Sequence, residues 1–295
     1  MAKLRIAYVP EHFSTPLAFA QQHFGLDAEL VPEPLGTGAL TARLKSDNED
    51  GVDVAIGLTE GFVADLGKAK AAGIETGYGL VGTYVESPLC WAISTGAKRH
   101  EVTGVDGLKG TTVGVSRIGS GSYVMSYVLA DQRGWLDGAK EDPFGVEVIG
   151  DFAALRKSVT DKTSDFFMWE HFTTKHFWDN GELKRIGEIY TPWPSWTIAA
   201  RHTAKDDVKS MMAKINQGVK YYMEHTEEAI QHITTAMHYS EADAKEWMKT
   251  VRFADDVIGM NPKMIDDTVA SLQKAGVLKS DSGGSEHMVV IQRST

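Results

Sequence analysis

The segment Ser116-Arg117-Ile118-Gly119-Ser120-Gly121-Ser122 carries the strongest chemical signal in the chain, and it falls between a β-rich run and a helical run. Glycines let a backbone approach a ligand closely, the start of a helix exposes unpaired N–H groups with partial positive charge, and the Arg117 guanidinium adds a fork of donors. Arg117, Ser120, Gly121 and Ser122 together describe a cradle for an anion or another acceptor group. The pattern is not a nucleotide loop: no Gly-Lys-Ser/Thr follows, and Val124 stands where a dinucleotide fingerprint needs its third glycine. It is not a nucleophile elbow either, because Gly-x-Ser-x-Gly is absent. A plain capped helix start is the bland reading of the same residues.

Leu35-Gly36-Thr37-Gly38 is a weaker version of the device, with Thr37 placed to cap its helix and face a ligand. Glu60 and Glu170 stand at matching strand-to-helix turns, where an open parallel sheet opens its ligand crevice. Carboxylates there would hold an amine or amidine, or would favour their own helix N-termini electrostatically. His12, in Pro10-Glu11-His12-Phe13-Ser14-Thr15, occupies the first loop of the same kind. Tyr84, Trp169 and Trp193 fall at predicted strand ends or crossings, where a ring can stack on a flat ligand or a cation. These roles together describe a small ligand with a planar body and a polar edge.

Other chemistries are disfavoured. Cys90 is the only cysteine, which excludes an internal disulfide and any multi-cysteine metal or iron–sulfur site; alone it reads as a small buried hydrophobe. His171 and His176 are five apart, off the i, i+4 spacing of one helix face, and no His-Glu-x-x-His occurs, so a zinc protease is rejected. No cofactor and no metal is expected.

The elements that must position these residues come in two matched series. Residues 4–9 read as a strand, Thr15-Pro16 as the N-cap and first position of a helix that runs into Leu17-Ala18-Phe19-Ala20, 28–31 as a strand, Leu35-Gly36-Thr37-Gly38 as the opening of a helix through Leu44, 52–57 as a buried strand and 61–71 as a helix. Two strands, 79–84 and 89–95, flank Glu86-Ser87-Pro88. The second series is strand 112–115, helix 122–131, strand 146–149, helix 152–159 and strand 165–168. In both series a Gly-rich step follows a strand, and an Asp-led apolar strand, from Asp53 or Asp165, ends near a glutamate. Strands separated by helices imply parallel pairing through crossovers. Residues 184–190 and 196–200 are strands joined by the rigid Thr191-Pro192-Trp193-Pro194-Ser195. Apolar residues at Val208, Met211, Met212, Ile215, Val219 and Tyr222 mark a helix, and 288–291 reads as a short terminal strand. The expectation is an α/β chain of two lobes, each a mostly parallel sheet flanked by helices: 1–92 with 195–295, and 93–194.

The chain of 295 residues is long enough for about two domains of roughly 150 residues each. Thirty Lys and Arg against forty Asp and Glu give a net charge of −10, without a basic stripe, which argues against a nucleic-acid partner. No run approaches the roughly 20 apolar residues of a membrane span. The start runs into a strand pattern without a signal-peptide core, so the expectation is a cytoplasmic protein, or a periplasmic one whose leader has been removed.

At these residues the chain resembles the type II periplasmic-binding-protein fold, in particular the NMT1/THI5-like substrate-binding branch. Tyr8-Val9-Pro10 with Pro16-Leu17-Ala18-Phe19-Ala20, Gly36-Thr37-Gly38, Asp53-Val54-Ala55-Ile56-Gly57 and Leu108-Lys109-Gly110-Thr111-Thr112-Val113-Gly114-Val115 carry the likeness. Ser116 to Tyr123 and Phe167-Met168-Trp169-Glu170-His171-Phe172-Thr173 are similar to a fungal, cytosolic subgroup. The resemblance implies two lobes joined by two hinge crossings that close on a small molecule, held by the first βα loops of each lobe, which here contain His12, Thr37, Glu60, Arg117, Ser120, Ser122 and Glu170. Fungal pyrimidine-precursor synthases share the fold, but a chain with Cys90 alone lacks their cysteine-rich motif.

The resulting expectation is a protein that traps a planar, partly charged metabolite, thiamine-pyrimidine-like or sulfonate-like. Arg117 and the 119–122 helix start would take an anionic or acceptor group, Glu60 and Glu170 an amino group, and Trp169 or Trp193 a ring face. Two alternatives stay open: an enzyme on the same fold using His12 or a glutamate as acid or base, and a sensor whose liganded form engages an unidentified protein.

Overall fold

Apolar runs without alternation are what strands covered by helices on both faces require, and this sequence supplies them twice. In the computed structural model, which describes residues 3–136 and 142–293, the chain begins with β1 (Leu4–Tyr8), α1 (Thr15–Phe24), β2 (Ala28–Pro32), α2 (Thr37–Lys45), β3 (Val54–Leu58), α3 (Thr59–Ala71) and β4 (Tyr78–Val85). It continues through β5 (Cys90–Gly96), β6 (Thr112–Val115), α4 (Gly121–Gln132), β7 (Gly145–Val148), α5 (Phe152–Thr160), β8 (Phe166–Glu170), α6 (His171–Asp179) and β9 (Leu183–Tyr190). Then come β10 (Trp196–Arg201), α7 (Lys205–Glu224), α8 (Thr226–Ala236), α9 (Glu241–Met248), α10 (Pro262–Lys274) and α11 (Ser285–Met288). Two compact units result: Met1–Ser87 with Trp193–Val269 and Asp281–Thr295, and Pro88–Pro192 with Ala270–Ser280.

In the first unit the sheet order is β2-β1-β3-β10-β4. β1 pairs in parallel with β2 and β3, while β10 runs antiparallel to β3 and β4. Ile6, Ala7, Val54, Ala55, Ile198 and Ala199 are fully buried in its middle. Asp53, just ahead of β3, accepts a hydrogen bond from the Arg5 backbone N–H at 2.8 Å and so pins the start of β3 beside β1. The second unit repeats the plan in the order β7-β6-β8-β5-β9, with β6 parallel to β7 and β8 and with β5 antiparallel to β8 and β9. Asp165 accepts from the Thr112 backbone N–H at 2.8 Å, the counterpart of the Asp53 contact. It also pairs at 2.6 Å with Arg99, a buried side chain that donates as well to Glu101 and the Ser164 carbonyl. Each sheet is therefore evenly mixed, two parallel pairs and two antiparallel, because the strand returning from the other unit enters head to tail.

Both sheets step outward from the second strand of the order and then back across it. β1 leads to β2 and then to β3; β6 leads to β7 and then to β8. That reversal opens a crevice beyond the carboxyl ends of β1 and β3, and of β6 and β8. The strand ends, turns and helix starts at those points carry His12, Glu60, Arg117 to Ser122, and Glu170.

The terminal segment departs from expectation. Residues 285–288 form the single turn α11, after which only isolated bridges occur, Leu80 with Val289 and Met260 with Gln292. The bridges of Leu80, Gly82 and Val85 to Val289, Gly259 and Phe253 lie along the edge of β4 and cover backbone groups that would otherwise be open to pairing. Among the described residues no helix is long and apolar enough to cross a membrane.

Candidate functional site

Glu60 is the second residue of α3, directly after the carboxyl end of β3, and its side chain is fully buried. The connector after β9 reaches this turn through two hydrogen bonds, Thr59 Oγ1 to the Pro194 carbonyl and Thr59 N–H to the Ser195 carbonyl. That tether sets Trp193, only 3% exposed, over the glutamate, and the indole N–H donates to Glu60 Oε2 at 2.9 Å. Glu60 Oε1 is buried and accepts no hydrogen bond. Burial pushes the carboxyl up to about 7, a rise that its own backbone N–H and the Trp193 indole only partly offset. The protein thus holds a buried carboxyl whose ionisation is opposed by desolvation, with one oxygen still lacking a donor.

Thr37 is buried next to it. Its hydroxyl accepts from the Leu58 backbone N–H at 2.9 Å, tying the first turn of α2 to the end of β3. Gly61 makes that approach possible, since a Cβ there would sit 2.7 Å from the Thr37 methyl. Thr37 therefore positions the Glu60 turn, in place of the ligand-facing cap its sequence suggests.

In the second unit, the 116–122 loop closes on itself as a helix entry. Ser120 is the N-cap of α4 and accepts from the Tyr123 N–H at 3.3 Å. Ser122 Oγ accepts from the Ser116 N–H at 3.2 Å, and the Ser120 and Ser122 hydroxyls bond each other at 3.0 Å. Gly119 supplies the left-handed turn, φ 82°, that a side chain would strain. Ser120, Gly121 and Ser122 are buried, whereas Arg117 is half-buried and Ile118 exposed. The expected cradle exists in outline, with its serine oxygens engaged in shaping the loop.

Glu170 lies immediately before α6 and is its N-cap, accepting from the Thr173 N–H at 2.6 Å. Burial raises its carboxyl to about 7, with the Thr173 and Phe172 backbone donors opposing the rise. Of the two roles open to it from sequence, the structure shows the capping role filled. Trp169 stacks on Phe152, centroids 5.1 Å apart and planes 22° apart, against the core cluster of Leu155, Val159, Phe167 and Leu183.

Two expected site residues are placed in the core. His12 is 1% exposed and packed among the rings of Phe13, Tyr239 and Trp247, centroids 4.0–4.6 Å away, and burial holds the imidazole neutral. Helix α9, which brings Trp247, lies too far along the chain to be placed over a loop near residue 12 by local pattern. Tyr84 is also in the core, its hydroxyl donating to the Phe13 carbonyl at 2.9 Å and its ring against Phe253. With Tyr8, Val9, Phe13, Ser14, Leu17, Ile56 and Trp196 it lines a cavity of about 10 Å³, room for no more than a water. Neither ring presents a face to a stacking ligand in this structure.

One group of chemically capable residues has no counterpart in the sequence expectations. Cys90, His171 and Glu188 bring a sulfur, an imidazole nitrogen and a carboxylate oxygen within 4.8 Å of one another. They are separated by 81 and 17 residues in the chain, so no spacing rule could have linked them.

Two units, each a mixed five-stranded sheet flanked by helices, define the class of fold as that of the periplasmic binding proteins. The family model described as Ca3427-like PBP matches residues 91–189. The CA3427 gene product of Candida albicans, whose structure is described as defining a new family with the generic periplasmic binding protein fold, is 45% identical, with 95% of this chain and 92% of that chain covered and a TM-score of 0.84. The chain belongs to the CA3427 family. The alkanesulfonate-binding protein SsuA from Xanthomonas axonopodis pv. citri, bound to MOPS, is similar in fold at 16% identity, with 95% and 96% of the two chains covered and a TM-score of 0.73. The nitrate-binding protein NrtA from Synechocystis PCC 6803 is similar at 12% identity, 95% and 83% coverage and a TM-score of 0.65. No protein of curated function matches by sequence.

Proposed function

We propose that this protein binds a small, planar, partly charged metabolite of the thiamine-pyrimidine or sulfonate kind, trapping it by closure of the two units. The observation that carries this reading is Glu60. A buried carboxyl whose Oε2 is held by an indole N–H while Oε1 lacks a donor is costly, of the order of 1–3 kcal/mol for the unmet group. A ligand amino or amidine N–H would meet that oxygen and remove the cost. Access to a fully buried atom needs its cover to move, which is why binding is joined here to a conformational change. An anionic or acceptor group on the same ligand would be taken by Arg117 and the first turn of α4. Likeness of fold to sulfonate- and nitrate-binding proteins is consistent with small-anion recognition without specifying it.

The test is native mass spectrometry of the freshly purified protein, followed by calorimetric titration of aminopyrimidines, alkanesulfonates and carboxylates. The expected result is one ligand per chain, with affinity reduced about tenfold or more in Glu60→Gln and in Arg117→Ala, as loss of a charge-assisted hydrogen bond implies. An identified ligand whose affinity is unchanged in both variants would overturn the assignment of these residues.

A further inference from the structure

The Cys90, His171 and Glu188 cluster belongs wholly to the second unit, and the sheet itself explains how it forms. β5 lies between β8 and β9. The β5–β8 ladder pairs Trp91 with Glu170, so one further step brings His171 opposite Cys90. On the other side Cys90 pairs with Tyr190 and Ala92 with Glu188. Side chains two apart on a strand share a face, so Cys90 and, through its paired Ala92, Glu188 rise from the same side of the sheet, and His171, the first residue of α6, brings its ring nitrogen within 4.8 Å of both. The sulfur is 3.6 Å from Glu188 Oε2. On that face Trp178 donates its indole N–H to Ser94 at 3.1 Å and packs edge-on against the His171 ring, centroids 5.0 Å apart, which limits the ring's rotation.

We propose that these three side chains form a zinc site. A thiolate, an imidazole and a carboxylate are a ligand set zinc accepts readily, and the sulfur disfavours magnesium and calcium. Ligand atoms around a tetrahedral zinc lie about 3–4 Å apart, so small side-chain rotations from the observed separations suffice. Glu188 is exposed, and Cys90 and His171 are partly exposed, which gives an ion a way in. On binding, the Cys90 thiol gives its proton to solvent as the sulfur–zinc bond forms, His171 contributes a neutral nitrogen lone pair, and Glu188 exchanges its ion pair with Arg185 for the metal. Three protein ligands leave a fourth position for water or for a donor atom of another molecule. The site shares no residue with the Glu60 and Arg117 reading of the preceding subsection and stands or falls separately from it.

The test uses the tag-free, chelator-stripped full chain, titrated with zinc against a chromophoric competitor and separately with cobalt(II). Expected are one zinc per chain and a cobalt complex with a thiolate charge-transfer band and tetrahedral d–d bands. Loss of an outer partner of a metal ligand already costs about 10–100-fold in affinity, so Cys90→Ser, His171→Ala and Glu188→Gln should each cost at least about a hundredfold. His176→Ala, an exposed histidine of the same helix, should bind as the parent does. Glu188→Gln changes an exposed side chain and keeps the fold, and the cobalt spectrum of the parent reports thiolate ligation without any variant. Absence of stoichiometric zinc, or zinc bound equally well by all three variants, overturns the proposal.

Discussion

The turn after β3 and the turn after β8 are built from the same sequence logic and end in different chemistry. Each follows a parallel strand introduced by an aspartate that accepts from the neighbouring strand, and each holds a buried glutamate raised to about 7. Glu170 stands just before α6, where an N-cap side chain reaches the N–H three residues on, and it takes that bond from Thr173. Glu60 stands one residue inside α3, whose N-cap is Leu58, so it cannot cap in this way. Its partner comes instead from residue 193, by way of the connector tethered to Thr59. A shift of two residues against the helix start separates a carboxyl that completes its own helix from one that keeps an oxygen in reserve. Local sequence can place both glutamates at the crevice; only the helix register and a distant indole decide which remains available.

The sharpest way to break this contrast is to remove the indole. Trp193→Ala deletes a buried aromatic side chain and strips Glu60 of its donor, and we expect a loss of about 3–5 kcal/mol in chemical denaturation. A loss below about 1 kcal/mol would mean that the Trp193–Glu60 contact does not organise the turn. The second test reads the charge itself. Because the folded carboxyl titrates near 7 and the unfolded one near 4.5, the folded state binds more protons in that interval, and stability falls as pH rises through it. The contribution is on the order of 3 kcal/mol and is complete above about pH 8. Glu60→Gln should abolish this part of the slope, so the variant gains on the parent steadily from about pH 4.5 to about pH 8. Parallel curves for the two proteins would show that Glu60 is not buried as described.

What the sequence made legible follows from the range of the forces involved. The two α/β series, the Asp-led strands and the Gly-rich helix entry at 116–122 rest on local periodicity, capping and turn chemistry, and the structure has them within a residue or two of the expected bounds. The placement of His12 and Tyr84 was not legible. A loop histidine after β1 reads as crevice-lining until Tyr239 and, in α9, Trp247, more than two hundred residues later, are laid against it. Thr37 shows the intermediate case: the residue is at the expected turn, but its hydroxyl serves Leu58, and only the close approach of Gly61 reveals why. Cys90, His171 and Glu188 lie at the opposite extreme, meeting through strand order alone.

Gly61→Ala tests the mechanical side of the comparison. In an exposed helix alanine would be favoured over glycine by about 1 kcal/mol. Here the new methyl meets Thr37 at 2.7 Å, a contact with buried atoms on a helix tied to β3, so the balance reverses to a net cost of about 1–3 kcal/mol. A variant more stable than the parent would show that α2 yields easily and that Thr37 does not fix the Glu60 turn.

The smallest effect belongs to the other turn. Glu170→Ala removes the acceptor for the Thr173 N–H and frees a buried carboxyl from its desolvation, two changes of opposite sign. Loss of an N-cap costs typically about 1 kcal/mol, and relief from burial returns part of that, so we expect a net destabilisation of about 1 kcal/mol or less by denaturant titration, with the loss concentrated as faster amide exchange in the first turn of α6. Glu170→Gln keeps an acceptor oxygen and should slow that exchange back to the parental rate. If Glu170→Ala instead stabilised the protein while leaving the first turn of α6 protected, the carboxyl would be a desolvated group held in reserve like Glu60 and not a cap, and the two turns would be chemically equivalent after all.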